Sequence, residues 1–269
     1  MPYCKNIQGG CVVSYLNVKV EDYVAVVTIQ QPPANALSSY VLKELSSLMD
    51  EFENNKEVRV IVIKGEGRFF SAGADIKEFV SVPSGEEFSK LAANGQELFE
   101  RIETFSKPVI ASIHGAALGG GLELAMSCHI RLVTENAKLG LPELQLGLIP
   151  GFAGSQRLPK YVGEAKALEM LLTSEPITGL EAVNYGLANH AFAEESLADE
   201  TMKLAKKFAA KSPISVSAAI DLINASKTLS YHDRVKKEAG YFGTVFESAD
   251  AKEGISAFLE KRQPQFKGE

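Results

Sequence analysis

Two glutamates stand among apolar neighbours. Glu123 follows a run of glycines and is flanked by Leu122, Leu124, Ala125 and Met126; Glu143 follows Pro142 in the stretch KLGLPELQLGLIPG. Two carboxylates sharing one apolar site hold raised and separated pKa values, so one can give a proton while the other takes one. Each alone is equally a solvated or structural acid. Two glycine-rich turns add donors. Residues 65–77 (GEGRFFSAGADIK) place the small Ser71, Ala72, Gly73 and Ala74 after a strand, so a ligand can approach the backbone closely. Residues 114–127 (HGAALGGGLELAMS) put three glycines at a helix start, where free N–H groups meet the positive end of the helix dipole. Either turn is also a tight strand-to-helix connection, the first with Asp75 as its cap. Together they can offer one N–H each to a shared oxyanion.

Such turns need strands to hold them. Residues 23–29 (YVAVVTI) form a β-branched strand, and Pro32 and Pro33 break it. Ser38 caps a helix whose apolar positions Val41, Leu42, Leu45, Leu48, Met49 and Phe52 recur at helical spacing. Strands follow at 58–63, 108–113 and 130–133, with a helix over 86–105 between the first two. Strands alternating with helices predict a mostly parallel sheet covered on both faces. After Gly151 the pattern is helical, over 160–172, 178–185, 194–211, 214–229 and 232–246. No Gly/Ser-rich linker intervenes, so the two parts are expected to pack together.

Composition narrows the chemistry. The chain has 269 residues, 45% of them hydrophobic, and 28 basic against 34 acidic residues give a net charge of −6. That balance argues against a dedicated nucleic-acid binder. No apolar run is long enough to span a membrane, and residues 1–15 lack the pattern of a secretory signal, so a cytoplasmic protein is expected. Three cysteines cannot all pair; Cys4, Cys11 and Cys128 are expected to be free thiols in a reducing compartment. No G-x-G-x-x-G follows a strand, and no P-loop, H-E-x-x-H or G-x-S-x-G occurs. His114, His129, His190 and His232 have no metal-ligand spacing, so no metal is expected. What is left for chemistry is carboxylates and backbone groups.

Four segments stand in order: F-x-A-G-A-D-I-K at 70–77, K-P-V-I-A-x-I-H-G-x-A-L-G-G-G-L-E-L-A at 107–125, L-P-E-x-x-L-G-L-I-P-G-x-x-G-x-Q-R-L at 141–158 and E-G-x-x-A-F-L-E-K-R at 253–262. With them the chain resembles the enoyl-CoA hydratase/isomerase (crotonase) family from about residue 16 onward. The resemblance implies an α/β fold of the ClpP/crotonase spiral type. Its ββα-repeat core would cover residues 1–200 and a helical C-terminal trimerisation region residues 201–269. It implies an acyl-CoA thioester whose carbonyl oxygen accepts from the N–H groups of Ala74 and Gly120. CoA would run along Ala72, Asp75, Ile76 and Lys77. Gly151 would support the Glu143 side, and Phe258 and Lys261, in the last helix, would touch CoA on a neighbouring subunit. It implies no cofactor beyond the CoA of the substrate, no nucleic-acid or membrane partner, and a homotrimer or a dimer of trimers. Hydratases of the family resemble this chain in keeping both Glu123 and Glu143, which implies hydration of trans-2-enoyl-CoA to 3-hydroxyacyl-CoA in fatty-acid or related acyl-CoA breakdown. Isomerisation, decarboxylation or thioester hydrolysis on the same scaffold, and a silent acyl-CoA-binding protein, stay open. His129 and Leu141 depart from the family pattern, where Asp and Gln are common. Phe152 and Ala153 replace small residues and are expected to narrow the acyl pocket.

Overall fold

The strands of the main sheet carry apolar residues on both faces, and the structure shows why. In this computed structural model, which describes residues 3–7 and 10–269 and side chains from Ser14 onward, β1 (Tyr3–Ile7) and β2 (Gly10–Ser14) form a hairpin. β3 (Leu16–Glu21) then pairs antiparallel with β4 (Val24–Ile29). The side chains of Cys4 and Cys11 lie outside the described residues; Cys128 is a buried free thiol. The chain continues through α1 (Ser39–Asn54), β5 (Val60–Gly65), α2 (Ile76–Phe79), α3 (Gly85–Glu103), β6 (Val109–Ile113), β7 (Ala116–Leu118), α4 (Gly120–Ser127), β8 (Ile130–Thr134) and β9 (Lys138–Gly140). A 3-10 turn (Glu143–Leu146) leads to α5 (Gly154–Val162), α6 (Glu164–Thr173), β10 (Ile177–Thr178), α7 (Gly179–Asn184), β11 (His190–Phe192) and α8 (Leu197–Ala209). The C-terminal helices are α9 (Pro213–Asn224), α10 (Tyr231–Glu247) and α11 (Ala249–Leu259).

The main sheet has the order β11-β8-β6-β5-β4-β3, with every neighbouring pair parallel except β3 with β4. Alternate residues of its strands face opposite sides. Val27, Ile61, Ile63, Ala111 and Val133 join the larger core with α1, α3 and α4. Val24, Val60, Val62, Ile110 and Leu132 meet Leu197, Ala205 and Ala209 of α8. Helix α1 forms as its sequence dictates: Ser38 Oγ accepts from Val41 N, and Val41, Leu45, Met49 and Phe52 make one buried stripe. Fully burying a side chain such as Phe52 contributes roughly 1.5–3 kcal/mol.

The structure departs from the sequence reading in several places. The helix expected over 160–172 is two helices, because the chain breaks at Gly163, where φ is +77°. The short strands β7, β9 and β10 form a second, three-stranded sheet. The boundary expected at residue 200 falls inside α8, which covers one face of the main sheet, so the helices that stand beyond the sheet begin after Ala209. Lys261, expected in the last helix, lies just past the end of α11 with φ at +55°. Among the described residues, no helix is long and apolar enough to cross a membrane.

Candidate active site

The two glycine turns meet because the strands that precede them are tied together. Ser71 N donates to Ala116 O (3.1 Å) and Leu118 N to Ser71 O (3.0 Å), so residues 70–72 run beside β7. On the other side Leu37 N donates to Gly73 O (2.7 Å). β7 then turns at Gly119, whose φ of +50° favours glycine, straight into α4. A Cβ on Gly120 would lie 3.2 Å from Ala74 N, and a Cβ on Gly73 3.6 Å from Gly120 N. The two amides are therefore neighbours. Among the described residues neither finds a hydrogen-bond acceptor in the chain, as expected for a residue opening a helix and one leaving a turn.

Ala74 and Gly120 line a cavity of about 160 Å³ that also takes in Ala72, Ile76, Gly151, Glu123 and Glu143. Its remaining wall is apolar: Phe79, Phe88, Leu91 and Ala92 from the α2–α3 side, Leu146 at the end of the 3-10 turn with Leu148 and Ile149 after it, and Phe152. Phe152 packs edge-to-face on Phe99 (5.2 Å between centroids) and fills the space over Gly95, where a Cβ would come within 2.3 Å of its ring. It also closes on Gly120, whose Cβ would sit 3.2 Å from the ring. Phe152 is thus the floor of the pocket.

Glu123, in the first turn of α4, is 1% exposed. Its Oε1 accepts from Phe152 N (2.8 Å) and Gly154 N (2.7 Å). Burial pushes this carboxyl up to about 7, and the charge of Glu143 acts the same way; the two amides and the Arg157 guanidinium pull it back. Glu143 opens the 3-10 turn, is raised by burial, and keeps a buried Oε2 with no hydrogen-bond partner among the described residues. Two carboxyls poised above their ordinary range, in one apolar cavity beside two free amides, suit proton transfer at a polarised carbonyl.

Not every expected residue converges. Asp75 acts as the cap of α2, its Oδ1 accepting from Lys77 N (3.1 Å), and Lys77 is exposed. Neither lines the cavity, nor do Phe258, 83% exposed on α11, or Lys261. The donors after Pro150 serve Glu123, not Glu143 as expected for Gly151, whose carbonyl instead accepts from Gln96 Nε2 (2.8 Å). Those donors were missed because a backbone N–H leaves no residue-type signal. His129 is half-buried, and desolvation pushes its pKa down to about 4; its Nδ1 accepts from Val109 N (2.9 Å), and the ring of His114 bonds Gly67 O (2.8 Å). Among the described residues no group of three or more His, Cys, Asp or Glu is placed to hold a metal ion.

Comparison with known proteins bears on this arrangement. The family model described as "Enoyl-CoA hydratase/isomerase" matches residues 19–269. A Bacillus subtilis protein named "Probable enoyl-CoA hydratase" is 60% identical over 255 residues, which is 94% of this chain and 99% of the relative. A Clostridium acetobutylicum "Short-chain-enoyl-CoA hydratase" is 39% identical over 90% of this chain and 94% of its own. The crystal structure of an enoyl-CoA hydratase from Bacillus anthracis superposes with a TM-score of 0.91 at 34% identity, covering 95% of this chain and all (100%) of that one. With the fold matched at this level and the model spanning nearly its whole length, this chain belongs to the enoyl-CoA hydratase/isomerase family.

Proposed function

We propose that the protein adds water to trans-2-enoyl-CoA thioesters, giving 3-hydroxyacyl-CoA, and is a hydro-lyase of acyl-CoA breakdown. The observation that carries this reading is the pair of glutamates in one apolar cavity with the two free amides. The thioester oxygen accepts from Ala74 N–H and Gly120 N–H. As hydroxide equivalent adds to the β-carbon, charge moves onto that oxygen, where each amide contributes about 3 kcal/mol of stabilisation. Glu123 Oε1 is committed to two amides, so Oε2 is the atom that meets the water; Glu143 Oε2 has no competing partner. One carboxylate takes the proton of the attacking water, and the other orients that water or returns a proton to the α-carbon. Water is consumed whole, and no redox partner is needed.

CoA would lie along Ala72, Asp75, Ile76 and Lys77 at the mouth of the cavity, where Ala72, Ile76 and Lys77 are exposed. The helices after Ala209 would form the oligomerisation region. Their exposed Phe242, Phe246, Phe258 and Leu259 support a homotrimer, or a dimer of trimers, in which Phe258 and Lys261 reach a neighbour's CoA. The acyl wall, closed by Phe152, supports a short-chain substrate.

Incubation with crotonyl-CoA, followed by the loss of the conjugated enoyl absorbance, tests the reaction. Glu123→Gln and Glu143→Gln should each lower kcat by roughly 10²–10⁴ with KM little changed. An unaltered kcat in either variant, or isomerisation without hydration in the native protein, would overturn the reading.

A further inference from the structure

The segment that holds Glu123 is itself under tension. Phe152 and Gly154, whose amides grip the carboxylate, flank Ala153, which stands at φ +66°. A residue with a Cβ is disfavoured there and persists only where its surroundings fix it. Two side chains do so. Gln96 of α3 donates to Gly151 O (2.8 Å), and Arg157 of α5 donates through Nη1 to Phe152 O (2.8 Å).

Arg157 is 5% exposed, and a charge buried to that degree needs a partner. Glu103, at the end of α3, supplies it: Arg157 Nε donates to Oε2 (3.1 Å). The other oxygen, Oε1, meets Lys227 Nζ at 2.8 Å. Asn224 Nδ2 donates to Glu103 O (2.8 Å), and Lys227 Nζ donates to Asn224 Oδ1 (2.6 Å). Asn224 ends α9 and Lys227 follows it, so a continuous polar chain runs from the active-site carboxylate to the C-terminal helices. It lines the floor of a cleft of about 580 Å³ separate from the acyl cavity.

We infer that Arg157 is a positioning residue for Glu123, and that Glu103, Asn224 and Lys227 extend its hold into the C-terminal helices. This rests on the proposed function only in taking Glu123 as a working acid. The charged groups that bear on Glu123 are Glu143 from the 3-10 turn and Arg157 from α5, with opposite effects. Burial works to raise Glu103, but Lys227 and Arg157 overcome it and hold that carboxyl below the usual range, so the chain stays ionised. Docking of the C-terminal helices therefore sets both the place of the loop over Glu123 and the charge that faces it.

The test uses the full-length protein labelled with ¹³C-glutamate, the Glu123 carboxyl resonance being assigned by its loss in Glu123→Gln. Arg157→Gln should move its titration midpoint up by about 0.5–1 pH unit. Lys227→Met, at the surface and outside the acyl cavity, should move it the same way by less. On crotonyl-CoA, Arg157→Gln should lower kcat roughly tenfold with KM within about twofold, and Arg157→Lys should restore the midpoint but not kcat, since it keeps the charge without the fork. Should Arg157→Gln not fold, the midpoint of Lys227→Met and the kcat of Arg157→Lys carry the comparison. A midpoint unmoved in folded Arg157→Gln, or in Lys227→Met where Arg157→Gln does not fold, overturns the inference. A native protein inactive on every enoyl-CoA overturns the proposed reaction instead, and the titration still decides this point.

Discussion

The two carboxylates sit on opposite kinds of wall. Glu123 belongs to a helix packed into the core, with two amides on one oxygen and a loop pinned by Gln96 and Arg157. Glu143 opens a four-residue 3-10 turn whose last residue, Leu146, and the following Ile149 are exposed, the latter at 77%. The deep wall is held by hydrogen bonds and burial; the shallow wall carries exposed side chains. Regions with few buried contacts open most readily, so the outer rim is expected to yield before the deep wall does.

Truncating each wall should expose the contrast most strongly. Phe152 is 6% exposed and packs on Phe99 and Gly95. Phe152→Ala should cost about 3 kcal/mol in urea unfolding, from lost burial and the cavity left behind. On enoyl-CoA substrates it should raise the kcat/KM ratio of longer chains to crotonyl-CoA, because the floor of the pocket is removed. Ile149→Ala, on the shallow wall, should change stability by less than about 0.5 kcal/mol. Equal losses for the two would erase the distinction.

Acid–base titration of stability should separate the walls next. The Glu123 carboxyl stands near 7 in the folded protein against 4.5 for the ordinary group. A raised acid favours the protonated folded state, so its contribution is fully present below pH 4.5 and is lost as pH rises through 7. The difference amounts to about 3 kcal/mol. Glu123→Gln keeps an acceptor for both amides and cannot ionise. It should match the native protein near pH 4 and exceed it in stability by up to that amount near pH 8. Glu143, raised in the same direction but half-buried, should give a smaller gain in Glu143→Gln. Parallel stability–pH curves for the native protein and Glu123→Gln would show that Glu123 is not strained by its burial.

How much of this was visible in the sequence follows the same division. The apolar runs of β4, β5 and β6, the Ser38 cap with its stripe, and the glycines before α4 are local signals, and local signals survive into the fold. Glu123 and Glu143 stood out as acids in apolar company. The donors to Glu123 did not, because Phe152 and Gly154 act through backbone N–H groups that any residue carries. The start of α5 at Gly154 was hidden by polar residues and by Pro159, and the strands β7, β9 and β10, two or three residues long, have no room for a period. Arg157 lies within the 141–158 motif, yet its partner Glu103 is 54 residues away and Lys227 a further distance along the chain. Contacts of that span depend on how α3, α5 and α9 pack, which periodicity cannot report.

The smallest effect concerns the backbone of each wall. Ala153, between the Glu123 donors, and Gly147, closing the Glu143 turn, both occupy the left-handed region, at φ +66° and +68°. Only the shallow wall uses glycine for it. Ala153→Gly should relieve strain on the deep wall and stabilise the protein by up to about 1 kcal/mol, while Gly147→Ala, with open space around its Cβ, should cost about 1 kcal/mol through φ alone. The informative readout is activity beside stability. If the tether from Gln96 and Arg157 does fix the Glu123 loop, Ala153→Gly should leave kcat within about twofold despite the added freedom, because the anchors and not the alanine set the loop's position. A larger fall in kcat with higher stability would instead make the strained alanine itself part of what holds Glu123 in place.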